Sequence, residues 1–255
     1  MIELKNIVKD FDSANSINHV LKGLNLKIND KDFITVIGSN GSGKSTLLNI
    51  IAGSFPPTSG QIIFDGEDVT KTKEHQRAHL IGRVFQDPNT GTIGDISIQE
   101  NLAIALKRGE KRTLRWALKK EYNDIYVRQL KPLNLGLETR LGDKISSLSG
   151  GQRQSVTLLM AVLKKPKLLL LDEHTAALDP KTSKKIMALT EKLIEDNGLT
   201  AMMITHNMKD AIRYGNRLIM ISEGRIIADI RKDKKDKLTI DDLYAQFDKA
   251  EKTED

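Results

Sequence analysis

Apolar and polar residues alternate with period two over residues 2–8 and again over 20–28, which predicts two half-buried strands joined by a polar turn at 12–18. A short unbroken apolar run at 33–37 reads as a buried strand, and the amphipathic run at 47–52 behind it reads as a helix. Residues 61–64 predict a further strand feeding Asp65-Gly66, a hairpin signal, so the β region continues there. Another strand at 81–85 is stopped by Pro88, since proline cannot donate to a ladder. The period then changes to helical from 98 to 135, including Leu114, Trp116, Ala117 and Leu118, which predicts a helical lobe with Trp116 inside it or at its contact surface. Beyond it come a helix through 156–163, an apolar strand at 167–171, a helix at 181–196 and a buried strand at 200–205. A closing hairpin of 217–222 and 225–230 turns on Glu223-Gly224, and a charged tail carries one short helix near 240–247. Alternating strands and helices of this kind predict an α/β fold: a mixed or parallel core sheet, an antiparallel β subdomain and an inserted helical lobe.

The junction between the run at 33–37 and the helix at 47–52 carries the strongest chemistry. It reads Gly38-Ser39-Asn40-Gly41-Ser42-Gly43-Lys44-Ser45-Thr46, a P-loop pattern in the strand-then-helix context that the pattern requires. Triphosphate oxygens are held by converging backbone N–H groups, which needs glycines such as Gly41 and Gly43 where a Cβ would block the approach, and a helix N-terminus adds its positive end. Lys44 supplies a point charge for the β- and γ-phosphates, and the Ser45 hydroxyl is placed to ligate Mg²⁺.

Four further places carry polar side chains at strand ends or a helix start. Gln86 follows its strand as a mobile polar group able to ligate a metal or a water. The apolar strand at 168–171 ends in Asp172 and Glu173, and ligands of α/β sheets bind at the carboxyl ends of strands. Asp172 is placed to hold Mg²⁺ through water, and Glu173 to polarise an attacking water. His206 ends the strand at 200–205 and, beside the other groups, reads as a sensor of the γ-phosphate. Ser149-Gly150-Gly151-Gln152 opens a helix with Ser149 as its N-cap, and the paired glycines leave N–H groups bare for a second anion. Phe11 lies just ahead of the first turn, where its ring serves either as a core or edge aromatic or as a platform for a base.

Composition narrows the classes. The 255 residues suffice for one main domain with a lobe. With no cysteine there is no disulfide framework and no cysteine zinc site, which fits a reducing cytoplasm. The start of the sequence shows no signal-peptide pattern, and no apolar run approaches the roughly 18 residues of a membrane span. The net charge of +6 comes mostly from lysines along helices, with denser patches at 107–120 and 231–237. These read as a solvated face, with anionic headgroups or nucleic acid as the alternatives. Aromatics are not interleaved with the basic residues, so a single-strand stacking platform is missing.

Taken together, these motifs make the chain resemble the ATP-binding subunits of ABC transporters over nearly its whole length. The resemblance maps Walker A onto 38–46, the Q-loop onto Gln86, the Leu-Ser-Gly-Gly-Gln signature onto 148–152 and Walker B onto 168–172. It makes Glu173 the catalytic base, 177–179 the D-loop and His206 the switch histidine, and it favours Phe11 as the adenine-stacking aromatic. It implies a single ABC ATPase domain of P-loop NTPase type over 1–255, with a core of 1–86 and 148–230, a helical lobe at 87–147 and a charged C-terminal extension at 231–255. It also implies a head-to-tail dimer in which each ATP lies between Walker A of one copy and the signature of the other. Transmembrane permease subunits would dock on the lobe, and an extracytoplasmic substrate-binding protein would act indirectly, with the chain peripheral at the cytoplasmic face of the membrane. One departure stands out: the common Glu-Pro-Thr after Walker B is here Glu173-His174-Thr175. With Thr205-His206-Asn207-Met208 and Tyr214-Gly215-Asn216-Arg217, this looks like a subgroup of tryptophan/tyrosine importers. Exporter or lipoprotein-release ATPases share every catalytic motif and form the alternative. ABC ATPases of nucleic acid or the ribosome carry long coiled coils, zinc cysteines or paired cassettes, none of which is seen, so no nucleic-acid partner is expected.

Overall fold

The computed structural model describes residues 1–13, 16–110 and 120–251. In chain order the elements are β1 (Ile2–Ser13), β2 (Ser16–Ile28), β3 (Phe33–Gly38), α1 (Lys44–Ala52), β4 (Ser59–Phe64), β5 (Glu67–Asp68), α2 (Glu74–Arg77), β6 (Ile81–Val84), α3 (Ile98–Leu106) and α4 (Lys120–Leu130). Then follow α5 (Gly150–Val162), β7 (Leu168–Asp172), α6 (Pro180–Asn197), β8 (Ala201–Ile204), α7 (Met208–Arg213), β9 (Arg217–Ser222), β10 (Arg225–Arg231), α8 (Lys232–Lys235) and α9 (Ile240–Glu251). The chain forms two compact units, one of residues 1–77 with 199–255 and one of 78–198.

The first unit holds an antiparallel sheet ordered β2-β1-β4-β5 and the strands β10-β9-β3-β8, in which β3 runs parallel to both β8 and β9. Strands β1 and β2 extend further than their alternation predicts, reaching Ser13 and Ser16, because cross-strand pairing of Asp10 with His19 and Asp12 with Ile17 continues through polar residues. The turn from Asp65 to Gly66 has both residues at positive φ, as a tight hairpin between β4 and β5 requires, and the Glu223-Gly224 turn repeats that geometry between β9 and β10. β3 is buried from Phe33 to Ile37, which is why it reads as a continuous apolar run. Arg217 at the start of β9 is buried and binds Asp229 in a two-pronged pair, Nε to Oδ1 at 2.7 Å and Nη2 to Oδ2 at 2.6 Å, with Asp32 at 2.9 Å from Nη1. The hydrogen bonds to Asp229 raise its pKa against the opposing effect of burial. α9, longer than the helix its sequence predicts, buries Leu243 in a cluster with Ile37, Ala211, Leu218 and Met220.

In the second unit β6 and β7 pair in parallel, Ile81 with Leu168 through Val84 with Leu171. Four consecutive leucines of β7 are buried, and α5 buries Val156, Leu158 and Leu159. Helix ends follow local chemistry. α3 begins on Ser97 with a reciprocal capping box to Glu100, and α6 begins on Asp179 followed by Pro180 and ends on Gly198 at φ 60°. The apolar positions read at 114–118, including Trp116, lie outside the described residues. Among the described residues, no helix is long and apolar enough to cross a membrane.

Candidate functional site

In each unit a pair of parallel strands delivers two candidate positions at the same height. In the first, Val36 of β3 pairs with Ile204 of β8, so Gly38, where the P-loop starts, and His206 both stand two residues past that rung. In the second, Val84 of β6 pairs with Leu171 of β7, so Gln86 and Glu173 both stand two residues past theirs, with Asp172 one residue earlier. These are the carboxyl ends of parallel strands, the edge where α/β sheets bind ligands.

The P-loop wraps an ammonium. Lys44 is buried, and its Nζ donates to Gly38 O at 2.8 Å and Ser39 O at 2.7 Å and reaches Ser42 Oγ at 3.5 Å. Gly38 lies so close to β9 that a Cβ there would sit 2.2 Å from Ile221 O. Gly43, the N-cap of α1, has φ 100°, and a Cβ there would stand 2.7 Å from Leu21 Cδ2. No side chain caps α1 and its first turn holds no acidic residue. A helix start with neither feature suits an anion, and a phosphate fits a buried lysine there. Asn40, Gly41 and Ser45 are exposed, Ser42 is buried and Thr46 is half-buried. His206 is exposed, and the next residue, Asn207, caps α7 by accepting from Lys209 N at 3.0 Å and Asp210 N at 3.2 Å.

Phe11 also belongs to the first unit. It is 39% exposed, meets Phe55 edge-on at 5.6 Å between centroids, and has Lys9 Nζ at 4.8 Å from its ring centre. Its ring is supported by another aromatic while keeping part of its surface open.

The second unit gathers Gln86, Asp172 and Glu173 with the helix that starts at Ser149. Arg83 Nη2 lies 3.8 Å from Asp172 Oδ2, and the Arg83 guanidinium covers the Phe85 ring at 4.4 Å. Glu173 has φ 45°, a left-handed backbone that a residue with a Cβ rarely adopts, and such outliers cluster at active sites. Ser149 Oγ accepts from Gln152 N at 3.3 Å while Gln152 Oε1 accepts from Ser149 N at 3.1 Å. The N-cap read from sequence is present, and it takes up the N–H of Gln152, which leaves Gly150 and Gly151 outside the box. Asp179 caps α6, and its hydrogen bonds, led by that to Thr182, hold its carboxyl below the ordinary range.

Two residues of this unit escaped the sequence reading in whole or part. Gln154 is buried, and its Nε2 donates to His174 O at 2.7 Å and toward Phe85 O at 3.4 Å. His174, noticed only as a departure from a motif, is buried with its Nε2 2.9 Å from Thr190 Oγ1. Because Thr190 Oγ1 donates to Ile186 O at 2.8 Å, it accepts from the ring, which fixes the Nε2–H tautomer. Burial pushes the His174 pKa down to about 4, so the ring is neutral. No composition or spacing signal marks Gln154, since its partners are main-chain carbonyls.

Similarity to known proteins adds to this geometry. The model of the ABC transporter family matches residues 21–176. A tyrosine transport ATP-binding protein of Clostridioides difficile is 42% identical over 98% of this chain and 100% of its own length. A macrolide export ATP-binding/permease protein of Campylobacter fetus is 37% identical, and the chain spans only 35% of that relative's length. Among solved structures, the dimeric post-hydrolysis state of an ATP-binding cassette bound to ADP and Pi superposes with a TM-score of 0.76 at 33% identity, covering 91% of this chain and 99% of that one. The architecture is thus the P-loop NTPase fold of ATP-binding cassettes, and the chain belongs to the ABC transporter family of ATP-hydrolysing subunits.

Proposed function

We propose that this chain is the ATP-hydrolysing subunit of a membrane importer for tyrosine or a related aromatic amino acid. The observation that carries the solute class is the full-length similarity to a tyrosine transport subunit. Export is the second reading, supported by the similarity to a macrolide-export protein. Within a single ABC ATPase domain over 1–255, the helical lobe at 87–147 receives permease subunits, and the chain works peripherally at the cytoplasmic face of the membrane. An extracytoplasmic binding protein selects the solute, and nucleic acid is not a partner.

In this reading Lys44 holds the β- and γ-phosphates while the amides of Gly38 to Thr46 cradle them. Ser45, Gln86 and Asp172 are hard oxygen donors. One hydroxyl, one amide and a single carboxylate would suit a Mg²⁺ that keeps waters and phosphate oxygens. When bound, Mg²⁺ neutralises charge on those phosphates. Glu173 takes a proton from the attacking water, His206 contacts the γ-phosphate, and Phe11 stacks on adenine. Ser149, Gly150, Gly151 and Gln152 of a second copy complete the site, which makes the working unit a head-to-tail homodimer.

The solute is tested on the extracytoplasmic binding protein that partners this transporter, by calorimetry with tyrosine, tryptophan and unrelated amino acids. Tyrosine or tryptophan should bind most tightly and should stimulate ATP hydrolysis by the reconstituted transporter. Tight binding of a different solute class would reject the aromatic assignment and leave the ATPase intact.

A further inference from the structure

A single buried amide joins three segments that the mechanism uses separately. Gln154 lies one turn into α5, two residues past the Ser149-to-Gln152 capping box. Its Nε2 donates at 2.7 Å to the carbonyl of His174, the residue after Glu173, and points at 3.4 Å to the carbonyl of Phe85, the residue before Gln86. Both partners are acceptors, so the amide must present its nitrogen to them, and its Oε1 is left buried with no hydrogen-bond partner among the described residues. The amide is kept although its own acceptor is stranded, which points to a need for its donor at these two carbonyls. Glutamate could not replace it, since an ionised carboxylate has no donor, and leucine or methionine would leave both carbonyls unheld.

The neighbours of this amide are fixed as well. The His174 ring is pinned to α6 through Thr190, so both its carbonyl and its side chain are tied down directly behind the left-handed backbone of Glu173. On the other side, Arg153 Nε donates to Thr92 Oγ1 at 2.7 Å, and a Cβ on Gly91 would sit 2.6 Å from Thr157 Cγ2. The segment leaving Gln86 therefore lies along α5. A displacement of the helix must pull on the peptide before Gln86 and on the peptide after Glu173 together.

We propose that Gln154 is a positioning residue: by binding the carbonyls of Phe85 and His174 with one amide, it sets Gln86 and Glu173 in register with each other and with the helix that starts at Ser149. The inference rests on the roles proposed above for Gln86 and Glu173. It makes the placement of the base respond to whatever engages the start of α5.

The test compares Gln154→Met, which keeps length and removes the donor, with wild type and Glu173→Gln, each as the full chain. Backbone hydrogen exchange, melting temperature, ATP affinity and single-turnover hydrolysis are read on all three. In Gln154→Met, exchange should quicken in peptides covering 85–90 and 172–176 while the melting temperature and ATP dissociation constant stay near wild type. Its hydrolysis should fall roughly 10- to 100-fold, because a misplacement of about 1 Å costs on the order of 10²-fold in rate. Gln154→Glu should share the defect. Wild-type hydrolysis and exchange in Gln154→Met, with Glu173→Gln inactive, would overturn the positioning role alone. A uniform loss of stability and of ATP affinity would reduce Gln154 to a packing residue and also overturn it. Full activity in Glu173→Gln would show that the base reading has failed, and the positioning of that base would fall with it.

Discussion

Helix α1 starts on Gly43 with no side chain capping it, whereas α5 starts on Ser149, whose hydroxyl closes a reciprocal box with Gln152. The first start is held by its own lysine, which donates to two carbonyls of the loop, and a helix N-terminus of this kind suits an anion. The second start is shaped before any ligand arrives, and its body is tied to the peptides beside Gln86 and Glu173. On the roles proposed above, the uncapped start grips the nucleotide and the capped one is presented to it. That division is what a nucleotide shared between two copies of the chain would need.

Breaking the gripping end should have the largest effect. Lys44→Ala removes the buried ammonium, and ATP hydrolysis measured by phosphate release should fall by at least about 10²-fold, the scale of losing one donor to developing charge. Turnover at the wild-type rate would mean that α1 does not grip phosphate. Folding should be less affected than turnover, since Lys44 Nζ donates to carbonyls of its own loop, Gly38 O and Ser39 O.

The segment after Glu173, tied to α5 through Gln154, carries its own pH signature. His174, fully buried and neutral with a pKa of about 4 against 6.5 for a free histidine, binds its proton more weakly in the folded chain than in the unfolded one. Stability is therefore full above about pH 6.5 and is lost as pH falls toward about 4, by about 3 kcal/mol in total. Urea denaturation across that window should show the slope in wild type and a flatter one in His174→Gln. Equal slopes would mean that the ring is not buried neutral.

The smallest effect sharpens the contrast between the two starts. Ser149→Ala opens the capping box and should lower stability by about 1 kcal/mol, as loss of an N-cap does, without changing ATP affinity of the isolated chain. A loss of ATP affinity in the monomer would place α5 in the same grip as α1 and erase the distinction.

The strands and turns were legible because their signals are local. The Asp65-Gly66 and Glu223-Gly224 turns lie where positive φ is needed, and the buried run before Gly38 is β3. Ser149 and the Asp179-Pro180 start of α6 could be read for the same reason, since a cap bonds within three residues. What could not be read joins distant parts of the chain. Arg77 is buried against the carbonyls of Ile50 and Ile51 at the end of α1, and Arg217 draws together Asp32 and Asp229, although charged residues ordinarily read as surface. Lys235 is buried against the carbonyls of Tyr214 and Gly215 at the end of α7, with burial pushing its pKa down to about 8, where the composition shows only a basic tail. α7 itself, six residues long, is too short for a periodic signal. Gln154 and the left-handed backbone of Glu173 are likewise products of packing, and no pattern of residue types announces them.

The most direct test of the division between gripping and presented helix starts is the ATP-driven mass of Glu173→Gln. Loss of a general base is worth roughly 10² to 10⁴ in rate, so the variant should bind ATP and Mg²⁺ and hardly hydrolyse it. On the role proposed for Glu173, the amide also removes a negative charge that would face the γ-phosphate, which favours the closed pair. Light scattering with ATP and Mg²⁺ should then give twice the mass of the chain, and adding either Lys44→Ala or Ser149→Arg should return it to one chain, with ATP still bound in the Ser149→Arg case. A doubled mass that survives Ser149→Arg, or a single-chain mass in Glu173→Gln at every protein concentration, would contradict the account.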